Sequence, residues 1–177
     1  MRISILFFIG ILLIGCYEVT PRKPINPKKS TTILKETIKQ SKRLNKIEED
    51  YILALIKADS TNTYQVSPNG FWYTYINKNE ESTITPKEGD VVTFQYNITD
   101  LQGAVIYSKD SLGIKKMSVD KEDFISGLQS GIKLMKIGET ITFVIPSYNA
   151  FGISGDGKKI GINQSIKSTV TLININN

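Results

Sequence analysis

The chain has 177 residues, no histidine and one cysteine, Cys16. Without histidine there is no Ser-His-Asp triad, no imidazole general base and no His-ligated metal site. One cysteine allows neither an intrachain disulfide nor a zinc ribbon. A phosphate-cradling glycine loop is also missing: Gly152, Gly155, Gly157 and Gly161 have the wrong spacing and no strand-to-helix context. The net charge of +5 is spread thinly, with small clusters at Arg22-Lys23, Lys28-Lys29 and Lys115-Lys116, whereas nucleic-acid binding calls for a concentrated basic stripe. The remaining Asp, Glu, Tyr, Lys and Ser residues sit in no motif for hydrolysis or phosphoryl transfer. The expectation is a protein with no metal, no cofactor and no nucleic-acid partner.

What is present is globular in composition, 40% apolar and 22% charged, with room for one ordinary domain plus accessories. Met1-Arg2 opens on a positive charge. Residues 3–15 form an apolar run, too short for the ~20 residues that span a bilayer but of signal-peptide length. The run closes on Leu13-Ile14-Gly15-Cys16, which resembles a bacterial lipobox. That resemblance implies removal of residues 1–15 and diacylation of Cys16, and it accounts for the only cysteine. Two or three acyl chains hold a protein firmly on a membrane. The expected place is therefore the cell envelope, as a membrane-anchored lipoprotein facing the periplasm or the exterior. Residues 16–32 carry Pro21, Pro24 and Pro27 and read as an extended tether.

Residues 33–62 are predicted to hold an amphipathic helix, running from about residue 31 or 33 to 58. Leu34, Ile38, Leu44, Ile47, Tyr51 and Leu55 lie along one stripe at helical spacing, with Lys39, Arg43, Lys46, Glu49 and Asp50 opposite. Asp59-Ser60-Thr61-Asn62 stops the helix. The stripe must bury against something: the chain's own C-terminal domain, or a second copy or partner docking on residues 33–58.

Residues 63–177 change character. Aromatic and β-branched segments at 70–76, 91–98, 104–108, 140–146 and 169–175 read as strands, and 121–134 gives the one helical signal. The predicted fold class is α+β, an antiparallel sheet wrapped around a short helix and preceded by the N-terminal amphipathic helix. Phe124, Ile125, Leu128, Ile132, Leu134 and Met135 are expected to pack the short helix on the sheet.

Several motifs in this half occur in a telling order: Glu88-Gly89-Asp90-Val91-Val92, Tyr96, Gly103, Phe124-Ile125-Ser126-Gly127, Met135-Lys136-Ile137-Gly138-Glu139, Ile145-Pro146 through Ala150-Phe151-Gly152, and Ile160-Gly161-Ile162-Asn163. Together they resemble the FK506-binding-protein (FKBP) type of peptidyl-prolyl cis-trans isomerase over residues 86–175. The resemblance implies an FKBP-like fold, a proline-binding pocket and proline-containing polypeptides as substrates. It implies pocket roles for Tyr96, Ile106, Tyr107, Phe124, Ile125, Leu128, Ala150, Phe151 and Ile160, with the Ile125 backbone N–H donating to a substrate carbonyl. The lipobox, the helix and the Gly70-Phe71-Trp72-Tyr73 strand further resemble FKBP-type lipoproteins associated with gliding motility in Bacteroidetes.

Four positions depart from the family pattern. Its Phe-Asp pair reads Ile106-Tyr107, its floor tryptophan is Leu128, the tyrosine of its Ala-Tyr-Gly loop is Phe151, and a late phenylalanine aligns to Ser168. The pocket so predicted is more apolar than usual. Such a cavity still suits rotation about an X-Pro bond, because the twisted transition state has lost amide resonance and is less dipolar than either planar state. Two functions stay open at this point: an isomerase assisting exported or motility proteins, and a non-catalytic FKBP-like binding or scaffold module.

Overall fold

The computed structural model describes residues 30–176. The expected signal peptide, Cys16 and most of the tether lie outside the described residues. The chain divides into two compact units, the first ending at Ile38 and the second running from Lys39. Helix α1, Ser30–Ala58, begins one to three residues before the predicted start, ends where expected, and crosses the division. In the first unit, Thr37 Oγ1 donates to the Ile33 carbonyl at 3.0 Å, and Ile33, Leu34 and Ile38 are exposed. Among the described residues no helix is long and apolar enough to cross a membrane.

The second unit is an antiparallel sheet built from β1 (Gln65–Ser67), β2 (Phe71–Asn77), β3 (Val91–Tyr96), β4 (Ile98–Thr99), β5 (Val105–Tyr107), β6 (Ile114–Ser118), β7 (Thr140–Ile145) and β8 (Ile166–Asn176). Short helices α2 (Lys109–Leu112) and α3 (Ser126–Ile132) interrupt it. The strand order is β1-β2-β7-β8-β3-β6, with β4 bridging β5 and β8. The predicted α+β architecture, an antiparallel sheet with a short helix and an amphipathic helix before it, is the one observed. Sequence reading missed β1, β6 and α2, placed the helix too broadly, and shortened β8, which begins at Ile166 rather than 169.

Burial alternates along β3 and β8, as in a sheet with one face packed on the core and the other more open. Phe71, Ile141, Phe143, Ile145, Val170 and Leu172 face α3 and form the main core with Leu128, Ile132 and Met135. Leu134, expected in that core, is instead 36% exposed: α3 ends at Ile132, and the chain turns away before reaching it.

The opposite face carries Trp72 and Val144, which are register partners, and α1 covers it with Ile52. Ile52 is fully buried, whereas Leu44, Ile47 and Tyr51 of the predicted stripe are each about half exposed. The face that packs on the sheet is thus Ile52 with the partly buried Ile56, one helical step round from the stripe. Full burial of an isoleucine is worth roughly 1.5–3 kcal/mol, enough to seat the helix end over the sole tryptophan.

Helix α3 lies unusually close to β7. A Cβ placed on Gly131 would stand 2.6 Å from Phe143 Cε1, and one on Gly127 would stand 2.6 Å from Ile145 Cγ2 and 3.0 Å from the Asn149 carbonyl oxygen. Glycine is unfavourable inside a helix by roughly 0.5–1 kcal/mol, so two glycines one turn apart reflect this approach rather than helix preference. Gly131→Ala should lower unfolding stability by about 1–3 kcal/mol despite alanine's better helix propensity. A chemical-denaturation midpoint shifted to lower denaturant at unchanged slope checks this; a neutral or stabilising change would mean that the Phe143 ring yields freely.

Candidate proline-binding site

Where β3 ends, α3 begins and the loop after β7 turns back, an apolar hollow of about 380 Å³ opens. Pockets that hold small ligands span roughly 300–1,000 Å³. Tyr96, Tyr107, Phe124, Ile125, Ala150 and Phe151 line it, together with Ile98, Leu112 and Asp123, which sequence reading did not single out. Tyr107 stands in the wall and leaves the hollow open. Of the other positions expected here, Leu128 is fully buried and Ile160 nearly so, both in the main core, and Ile106 packs against that core. None of these three lines the hollow.

The floor is an aromatic cluster. The Phe124 ring lies edge-on to Tyr96 at 5.6 Å and to Phe94 at 5.8 Å, and Phe94 and Tyr96 are 5.5 Å apart. Such pairs add about 0.5–1.5 kcal/mol each beyond burial and hold the Tyr96 ring in place. Burial pushes the Tyr96 phenol pKa above its ordinary value, which keeps it protonated and able to donate. Among the described residues, neither the Tyr96 hydroxyl nor the Ile125 backbone N–H makes a hydrogen bond. Ile125 is the N-cap residue of α3, where backbone donors have no helical acceptor.

The roof is the segment after β7. Ser147–Asn149 forms a single 3-10 turn, and the Ser147 carbonyl accepts from the Ala150 N–H at 3.0 Å and the Gly152 N–H at 2.8 Å. Those two amides flank Phe151. Asn149 Nδ2 donates to the Asn69 and Gly70 carbonyls, and Ser126 Oγ donates to the Asn149 carbonyl at 3.1 Å.

A third loop supplies an aspartate that the sequence did not signal as part of the site. Asp156 Oδ1 accepts from the backbone N–H groups of Lys158, Lys159 and Ile160 at 2.8–2.9 Å, and Oδ2 accepts from the Tyr107 hydroxyl. Gly155 makes this turn possible: its φ is +65°, and a Cβ there would meet the Ile160 carbonyl oxygen at 2.4 Å. Burial pushes the Asp156 carboxyl up, but the Tyr107 hydroxyl and the three amides outweigh that and bring it down to about 2. The same hydrogen bond, followed by burial and the aspartate charge, raises the Tyr107 phenol. Lys159 Nζ stands 5.1 Å from the centre of the Tyr107 ring, and Lys115 Nζ stands 5.1 Å from that of Phe124. The only sequence cue to Asp156 was its place between two glycines, which reads as a turn and nothing more.

Ser168, aligned to the late phenylalanine, is fully buried and donates to the Asn97 carbonyl at 2.6 Å, joining β8 to the break between β3 and β4. A larger hollow of about 780 Å³ lies between α1 and the loops around residues 101, 148, 153 and 164, and holds none of the predicted site residues.

The family profile described as FKBP-type peptidyl-prolyl cis-trans isomerase matches residues 82–173. This chain belongs to that family. It is similar to the probable FKBP-type peptidyl-prolyl cis-trans isomerase FkpA of Neisseria meningitidis serogroup B, with 33% identity over 90 residues, 51% of this chain and 33% of the relative. The chain thus matches about a third of the length of that curated relative. Among solved structures, the fold resembles a peptidyl-prolyl cis-trans isomerase from Pseudomonas syringae pv. tomato (TM-score 0.62, 21% identity, 77% of this chain and 96% of that one). It also resembles FkpA from Escherichia coli (TM-score 0.61, 17% identity, 99% and 82%). At these identities the two structures speak for the fold alone.

The Asp156 contacts set a pH window. Its folded pKa lies below the ordinary carboxyl value, so the carboxylate favours the folded loop above about pH 4, and that contribution is lost as pH falls towards about 2. Amide exchange at Lys158, Lys159 and Ile160 should stay protected from neutrality to about pH 4 and lose protection below it. In Asp156→Ala protection should be absent at every pH; a variant as protected as the parent would show that the loop holds itself without this carboxylate.

Proposed function

We propose that the domain is a working peptidyl-prolyl cis-trans isomerase on proline-containing polypeptides. The observation that carries this reading is the open, largely apolar hollow in which two donors, the Ile125 N–H and the Tyr96 hydroxyl, make no hydrogen bond within the protein. A planar X-Pro amide is dipolar and favours water; the twisted amide has lost resonance and tolerates an apolar surround. A water-poor cavity therefore stabilises the transition state differentially. The Ile125 N–H would hold a substrate carbonyl while Phe151 and Ala150 close over the prolyl ring. No bond to the protein forms and no proton moves.

A scaffold reading has its own support. Tyr107, where the family pattern has an aspartate, is engaged by Asp156, Phe151 carries no hydroxyl, and Leu128 gives the hollow no tryptophan floor. A pocket so built binds proline with fewer polar contacts to assist turnover. A protease-coupled assay on a short X-Pro peptide separates the two. The isomerase reading expects cis-to-trans conversion faster than buffer, and a loss of kcat/KM of about tenfold or more, some 1.4 kcal/mol, in Phe151→Asn. Buffer-rate conversion by folded protein leaves only the scaffold.

In the same reading, the protein works in the cell envelope as a lipoprotein anchored through Cys16, assisting exported or gliding-motility proteins, and the exposed stripe of α1 is available for self-association or a partner. The support is the lipobox-like Leu13-Ile14-Gly15-Cys16 and the exposure of Leu44, Ile47 and Tyr51. Labelled palmitate should enter the protein in growing cells of its source and be lost in Cys16→Ser; equal labelling of both would remove the anchor from the proposal.

A further inference from the structure

We propose that Glu48, on helix α1, is a positioning residue for the pocket, so that α1 holds the roof of the site in place. The proposal rests on the isomerase reading for its catalytic readout, but not for its structural one. The Glu48 carboxylate accepts from the Ser147 N–H at 2.7 Å, from Ser147 Oγ at 2.9 Å and from Ser165 Oγ. These partners stand about a hundred residues away in sequence, on the two segments that flank the loop from 150 to 161. Beside it, the Tyr148 hydroxyl donates to Glu49 Oε1 at 2.6 Å.

Ser147 is the point through which this grip reaches the pocket. It is buried, it opens the 3-10 turn, and its carbonyl takes the amides on both sides of Phe151. Its N–H and Oγ are held by Glu48, and its carbonyl is held by the Ala150 and Gly152 amides, so the peptides on both sides of Ser147 are tied and the backbone that carries Phe151 is tied to them. The other holds on the roof use neutral groups: Asn149 to the β1–β2 turn and Ser126 grip the residue before Ala150, and the Asn163 N–H donates to the Gly152 carbonyl at 2.8 Å. Only the α1 grip uses a charge, and charge-assisted hydrogen bonds are roughly twice as strong as neutral ones. Glu48 itself touches no wall of the proline hollow. Its role is to set where Phe151 stands.

The test compares Glu48→Ala, Glu48→Gln and Ile52→Ala in the full chain. Glu48→Ala should raise amide exchange over residues 147–152 and cut kcat/KM on X-Pro peptides by about tenfold, since a misplacement near 1 Å can cost up to a hundredfold. Glu48→Gln keeps one neutral acceptor for the Ser147 N–H but loses the charge and the second acceptor oxygen, and should fall between Glu48→Ala and the parent on both readouts. Ile52→Ala loses helix packing but keeps the carboxylate. It should lower thermal stability at least as much as Glu48→Ala, with exchange at 147–152 close to that of the parent protein. If Glu48→Ala lowers stability and leaves exchange at 147–152 unchanged, Glu48 is merely structural and the proposal is overturned. Should the parent protein prove inactive on every X-Pro peptide, the isomerase reading fails, and the exchange comparison alone still decides whether Glu48 holds the roof.

Discussion

Everything in the site depends on how closely α3 approaches β7. The two glycines of α3 let its backbone lie against Phe143 and Ile145 with no side chain between. That approach fixes three things together: the height of Ile125 at the start of the helix, the Phe124 ring that precedes it, and the reach of Ser126 to Asn149 in the roof. Floor and roof of the hollow are therefore set by one contact rather than by separate elements. A helix of seven residues has little stability of its own. It persists because its buried face, Leu128 and Ile132, supplies the centre of the core. The core and the pocket share this helix, so loosening one loosens the other.

Within that frame, polar groups are directed away from the hollow. The Tyr107 hydroxyl is committed to Asp156, and the Ser168 hydroxyl to the Asn97 carbonyl. Phe151 has no polar atom to commit. What remains in the lining includes the Ile125 N–H, the protonated Tyr96 phenol and the exposed Asp123 carboxylate, against otherwise mostly apolar walls. A cavity that disfavours the planar, dipolar amide needs few polar groups, and each extra one offered to the planar carbonyl would stabilise ground state and transition state more equally. In the proposed isomerase, the changes from the family pattern at Tyr107 and Phe151 would reduce the hold on a substrate more than the environmental effect on the rotating bond. They do not remove the cavity, because its volume is set by backbone placement at α3 and the roof.

The parts of this arrangement that the sequence made legible are those with local signatures. The order of the Phe124–Gly127, Met135–Glu139 and Ala150–Gly152 motifs located floor, turn and roof, because glycine turns and short apolar runs are encoded over a few residues. Contacts made across the chain were not legible. Asp156 reaches Tyr107 over 49 residues, and Glu48 reaches Ser147 over 99. An aspartate between glycines and a glutamate on a helix look like any solvent-facing residues. Leu128 and Ile160 were misplaced for a related reason: an apolar side chain beside a cavity and one behind its wall are written alike. Strand β6 escaped because Ile114-Lys115-Lys116-Met117 shows its alternation at one position only, with Met117 buried and its neighbours more open.

Helix α1 shows why the largest apolar stripe on a helix is a poor guide to the face that docks. Leu44, Ile47 and Tyr51 form the stronger pattern, yet the sheet takes Ile52. The outer sheet face offers only a small apolar area, Trp72 and Val144, which Ile52 covers with help from Ile56, Tyr64 and Leu101. Around that patch the partners on offer are the hydroxyls of Ser147 and Ser165 and the backbone N–H of Ser147, which suit a carboxylate. Glu48 and Ile52 are four residues apart and so lie on one face of the helix, and their combination matches the mixed surface where the apolar stripe does not. The apolar contact tolerates sliding and rotation. The carboxylate, with three donors converging on it, does not. Ile52 thus supplies most of the attraction and Glu48 most of the registry, and a helix seated by registry is one whose position the adjoining loop can follow.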